Sequence, residues 1–82
     1  MDFGDAIRAM KDGKRVARSG WNGKGLWLSL VRQWSAVGVE HLGDPFVVVA
    51  PFIVMKTADD KLVPWLASQT DVLAVDWTIV DG

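Results

Sequence analysis

Phe3, Ala6, Ile7 and Met10 recur three and four residues apart, the spacing that lines one face of a helix. Asp2 stands where an N-cap belongs and Gly13 where a helix stops, so the pattern predicts an amphipathic helix over residues 3–12 lying on a sheet. From Lys14 the period shortens to two. Lys14 to Arg18 reads as a short strand with Val16 pointing inward. Ser19 to Gly25, with three glycines and an asparagine, reads as a loop. Leu26 to Val31 is a second strand, with Leu26, Leu28 and Leu30 on one face and Trp27 and Ser29 on the other. Between Arg32 and Asp44 the spacing of Trp34, Val37, Val39 and Leu42 is loose and broken by Gly38 and Gly43, which suits an irregular hairpin or an oligomer contact.

Regularity returns at Phe46. The run to Met55 is rich in valine and isoleucine and predicts a buried strand, in which Pro51 demands an edge, a bulge or a break. Asp59 and Asp60 form a polar hairpin turn into a strand from Lys61 to Trp65. Ser68 and Asp71 have capping-box spacing and open a short helix through Ala74, and Trp77 to Val80 closes the described pattern as a strand. Strands outnumber helices and the connections are short. The expectation is one α+β domain over residues 1–82: a small antiparallel sheet with one main N-terminal helix and a short second helix.

Size and composition sharpen this. Eighty-two residues bury a modest share of their surface, and half of these residues are hydrophobic, so association into a homo-oligomer is expected. With no cysteine, disulfides, thiolate catalysis and cysteine-type zinc sites are excluded, and His41 alone cannot build a histidine-rich metal site. No cofactor is expected. Net charge is −1, which argues against bulk DNA or RNA binding. The charge is uneven, however: residues 1–24 carry six basic against three acidic groups, and the remainder three basic against seven acidic. Either complementary surfaces meet within the fold or across an oligomer, or the basic stretch makes a rim for a small phosphorylated ligand. No stretch is long and apolar enough for a signal peptide or a membrane span, so a cytoplasmic protein is expected.

The catalytic residue types are sparse. Serines at 19, 29, 35 and 68 have only His41 as a histidine base, and no local pattern brings a triad together. Asp71 and Asp76 have the chemistry of an acid–base pair, but a helix cap and a turn explain them as well. Binding is better supported. Five tryptophans offer flat surfaces for a base, and Trp21 stands out because it lies in a glycine-flanked loop, where a loop anchor is the competing role. Trp27, Trp34, Trp65 and Trp77 read as core or interface residues. Asn22 can read a base edge or ribose, Gly23 and Gly25 let backbone amides approach an anion, and Lys24 adds a positive charge. Ser68, Gln69 and Thr70 present donors at a helix start.

These strings resemble the Thoeris anti-defence protein 2 family. The likeness runs through Phe3-Gly4-Asp5-Ala6, Lys14-Arg15-Val16 and Gly20-Trp21-Asn22-Gly23-Lys24-Gly25. It continues through Pro51-Phe52-Ile53-Val54-Met55-Lys56-Thr57-Ala58-Asp59 and Leu62 to Asp71, and ends at Asp76-Trp77. Asp60 departs from it, standing where a glycine is usual. The resemblance implies a phage sponge, not an enzyme, acting in the cytoplasm of the infected bacterial host. It would sequester a cyclic ADP-ribose isomer made by TIR-domain defence proteins, uncleaved, between subunits of a homotetramer; some relatives are thought to hold cyclic dinucleotides. The resemblance supplies the ligand class only; read from their own chemistry, the residues expected to bind that ligand are Trp21, Asn22, Gly23, Lys24, Thr57, Ser68, Thr70 and Asp71.

Overall fold

A computed structural model describes residues 1–21, 25–32 and 50–80. The first helix, α1, spans Phe3–Lys11. Its start is secured by a reciprocal cap: Asp2 Oδ1 accepts the Asp5 amide at 2.8 Å, and the Asp2 amide donates to Asp5 Oδ2 at 3.3 Å. Such a cap contributes about 1 kcal/mol. The helix stops one residue before the expected position. Asp12 is the C-cap, and Gly13 follows at φ 86°, a left-handed conformation that suits glycine, with its amide on the Met10 carbonyl at 3.0 Å.

Five strands follow among the described residues: β1 (Arg15–Arg18), β2 (Trp27–Val31), β3 (Phe52–Lys56), β4 (Leu62–Pro64) and β5 (Trp77–Val80), with α2 (Gln69–Leu73) between the last two. All pairings are antiparallel and the sheet order is β4-β3-β2-β1-β5. This is the α+β fold that the sequence predicts. The C-terminal strand does not pair with its sequence neighbour; it returns to flank β1, with Val16 opposite Ile79 and Arg18 opposite Trp77. Pro51 ends the expected long strand, for β3 begins immediately after it; positions 46–49 lie outside the described residues, as do Trp34 and His41. Pro64 sits on the edge strand β4, where a missing amide breaks no ladder.

Strand register decides which side chains share the core. Val16 pairs with Leu28 and Leu28 with Met55, so these residues face the same side. On that side α1 lays down Ala6, Ala9 and Met10, and the buried cluster is closed by Trp77, which is fully enclosed. Each such large apolar side chain stabilises the fold by about 1.5–3 kcal/mol relative to exposure. Trp27 is on the opposite face, as alternation predicts, with the Arg15 guanidinium 5.0 Å above its ring.

Candidate ligand site at one end of the sheet

Antiparallel pairing places the C-terminal ends of β1 and β3 beside the N-terminal ends of β2, β4 and β5. The described segments at this end are residues 19–21 and 25–26, the 57–61 turn and the residues that lead from α2 into β5. Of the described residues expected to bind ligand, Trp21, Ser68 and Asp71 are brought together here through Trp77 and Arg18, whereas Thr57 lies on the β3–β4 turn toward the other edge of the sheet, and Thr70 lies in α2. Asn22, Gly23 and Lys24 lie outside the described residues.

Trp21 is half-buried and meets Trp77 edge-on, with ring centroids 5.4 Å apart and planes at 79°. Trp77 also contacts Trp65 at 6.1 Å and Phe3 at 5.3 Å. The loop tryptophan is thus one wall of an aromatic cluster continuous with the core, which makes it a loop anchor. Its amide donates to the Arg18 carbonyl at 3.2 Å, which closes a tight turn at the end of β1.

Arg18 organises what surrounds it. Its Nε donates to Asp76 Oδ1 at 2.8 Å and its Nη1 to Asp71 Oδ1 at 2.9 Å. Asp76 Oδ2 accepts the Gly20 amide at 3.0 Å. Asp71 Oδ2 accepts the Ser68 hydroxyl at 2.9 Å, while Ser68 Oγ takes the Asp71 amide at 3.1 Å and so caps α2 as predicted. Buried Trp77 joins the same group, its indole donating to the Asp71 carbonyl at 3.0 Å. Hydrogen bonds from Arg18 and the Gly20 amide outweigh desolvation and hold the Asp76 carboxyl below the usual range. Burial pushes Asp71 up, but Arg18 and Ser68 prevail and its net shift is also downward. Arg18 is held above its ordinary value by Asp76 first and Asp71 second. These two aspartates are a cap and a turn brace joined by one guanidinium. The arrangement fits ionised structural carboxylates better than a general acid, which needs a raised pKa.

At the far side of the loop, Lys56 Nζ donates to the Gly25 carbonyl at 3.0 Å and pairs with Asp60 at 2.8 Å. Gly25 has φ 81°, and a Cβ there would lie 3.2 Å from Lys56 Nζ. Thr57 is engaged in the adjoining hairpin turn: its hydroxyl contacts Asp59 and accepts the Lys61 amide at 3.1 Å. Asp60 takes φ 64° there, the conformation for which glycine is the usual occupant. Asp59 and Asp60 are therefore turn-forming partners of Thr57 and Lys56. Ser68 and Thr70 are exposed, and α2 is too short for its dipole to add much to anion attraction. Among the described residues no group of three or more His, Cys, Asp or Glu could hold a metal ion.

Reading the sequence for chemistry missed Arg18, because its two partners lie 53 and 58 positions away. The available signal was a cation at a strand end directly before a glycine loop, with two aspartates flanking a short helix. It missed equally that Trp77 lies beneath Trp21.

Fold and site together define a small α+β protein that mounts its loops on a rigid sheet end around a shared aromatic cluster, an architecture suited to binding. The chain belongs to the Thoeris anti-defense 2-like family, whose domain matches residues 1–80. Thoeris anti-defense 2 of Bacillus phage SP01 is 43% identical over 86 residues, an overlap covering 98% of this chain and 94% of that relative.

Proposed function

We propose that this chain is a phage anti-defence protein that blocks Thoeris immunity by binding and sequestering a cyclic ADP-ribose-type signalling nucleotide without cleaving it. The observation that carries the reading is the family match across residues 1–80, together with a relative named for action against Thoeris. The site geometry supports binding over hydrolysis. Its two half-buried aspartates are both bonded to Arg18 and stay ionised, so neither is poised to protonate a leaving group. In this reading the adenine stacks on Trp21, the donors at Asn22, Ser68 and Thr70 face base and ribose, and loop amides with Lys24 face the phosphates. The place of action is the infected bacterial cytoplasm; among the described residues, no helix is long and apolar enough to cross a membrane.

Assembly of several copies, a tetramer in this proposal, belongs to the same reading. Leu66, Leu73 and Val75 are 93%, 76% and 79% exposed within ten residues of chain, a surface that a second copy would cover. A shared pocket would also bury more of a small polar ligand than one short domain can.

Titration of the purified protein against a fixed amount of the product of an activated TIR-domain enzyme tests the function. A sponge removes signal linearly until sites equal molecules and releases the intact nucleotide on heating. Loss of signal at far less than one site per molecule, with no intact ligand recovered, would mean turnover.

A further inference from the structure

We infer that Arg18 is a positioning residue, fixing the turn at residues 19–21 and the start of α2 in one arrangement before any ligand arrives. The inference rests on the proposed reading of Trp21 and residues 68–71 as ligand-bearing. Arg18 ends β1 on the core-facing side, sharing that face with Val16, and its side chain is 20% exposed. From there it reaches two carboxylates in two directions, each of which holds a different segment. Asp76 holds the loop through the Gly20 amide, reinforced by the Ser19 amide on the Asp76 carbonyl at 3.0 Å. Asp71 holds the cap of α2 through Ser68, and its carbonyl takes the Trp77 indole on which Trp21 rests. Loop, helix start and aromatic wall thus meet at one guanidinium.

The residue types are specific to this task. An ammonium is a single point of charge and cannot direct an Nε and an Nη donor along two fixed lines, so lysine would hold one aspartate or the other. Gly20 is needed for the approach: a Cβ there would stand 3.0 Å from Asp76 Oδ2, and that carboxylate is already tied to Arg18. On this geometry Asp71 and Asp76 serve the site through Arg18, by removing the ordering cost that a loose loop would add to binding.

The test uses the full chain and needs no ligand for its first arm. Closely packed indoles give an exciton couplet in the far-ultraviolet circular dichroism spectrum, and the Trp21 share is the difference between wild type and Trp21→Phe. Arg18→Lys and Gly20→Ala, measured well below their melting temperatures, should each lose at least half of that difference signal while keeping a cooperative unfolding transition. In the second arm, calorimetry with a purified cyclic ADP-ribose isomer should show affinity about tenfold weaker for both variants. Retention of the couplet in a folded Arg18→Lys overturns the inference, as does a lost couplet with unchanged affinity. Should Arg18→Lys fail to fold, Gly20→Ala decides, since it breaks the contact from the exposed loop side; a preserved couplet there is again a refutation. A wild type that shows the couplet but binds no nucleotide would reject the proposed ligand, and with it the role in binding, while the first arm still decides whether Arg18 sets the loop.

Discussion

Replacing Trp21 by alanine separates its two roles, because the structure gives it a packing function that a purely ligand-facing residue would lack. Truncating a fully buried tryptophan costs about 3–5 kcal/mol. Trp21 is half-buried, so the expected packing loss is about 2 kcal/mol. The edge contact with Trp77, at 5.4 Å and 79°, adds about 1 kcal/mol. A total near 3 kcal/mol, at about 4–8 °C per kcal/mol for a domain of this size, lowers the melting temperature by roughly 12–24 °C. Trp21→Phe keeps an aromatic edge on Trp77 and should lose less than half as much. The assay is thermal unfolding by circular dichroism at equal protomer concentration, since association shifts the midpoint. Binding is then compared at a temperature where every variant is folded, and loss of the base stack should weaken it by about 1–3 kcal/mol. An alanine variant that melts within about 3 °C of wild type would refute the packing argument. One that is destabilised but binds with wild-type affinity would refute the stacking role alone.

Gly13→Ala meets nothing within 4 Å, so its cost is the left-handed backbone alone, about 1–2 kcal/mol in a denaturant titration; a neutral result would mean that φ 86° is not kept in solution. Acid should loosen the Arg18 cluster. Asp71 and Asp76 are held below their ordinary value of 3.8, so their contribution is fully present above that pH and is lost as pH falls through their lowered folded values. Melting temperatures that hold between neutrality and about pH 5 and fall below about 3.8 are expected in wild type, and an Asp76→Asn variant should show a shallower fall. Leu73→Glu places a charge on a side chain that is 76% exposed, so the fold should survive while light scattering reports a smaller assembly; an unchanged mass would exclude this surface from the interface.

Local structure was legible wherever one short stretch carried both a pattern and its punctuation. Asp2 and the Phe3–Met10 spacing specify α1, Val16 marks the buried position of β1, and Ser68 with Asp71 specifies the start of α2. The turn at Asp59 and Asp60 was equally plain, although Asp60 must take a conformation usually left to glycine. What resisted reading was non-local. Periodicity cannot show that β5 pairs with β1 instead of β4, and that single pairing brings Trp77 under Trp21 and Asp76 beside Arg18. The same limit applied to the tryptophans: residue type and spacing do not distinguish fully buried Trp77 from half-buried Trp21, because each is placed by partners more than fifty residues away.

The uneven charge of the chain bears on how a phosphorylated ligand could be held. Part of the excess of cations before residue 25 and of carboxylates after it is neutralised within the fold, where Arg18 lies between Asp71 and Asp76. At the same sheet end Lys56 is paired with Asp60 and Lys61 with Asp59. The described ionic groups there, three cations against four carboxylates, therefore exert no net pull on an anion. Diphosphate recognition in the proposed function then depends on directed donors, meaning the amides and Lys24 of the glycine loop, and on any basic group a second copy contributes. Directed hydrogen bonds act only when their geometry is already set, and they fade less with salt than a diffuse field does. Gly20 is tied to Asp76 and Gly25 to Lys56, so in the proposed function the described residues on either side of positions 22–24 meet that requirement before a ligand binds.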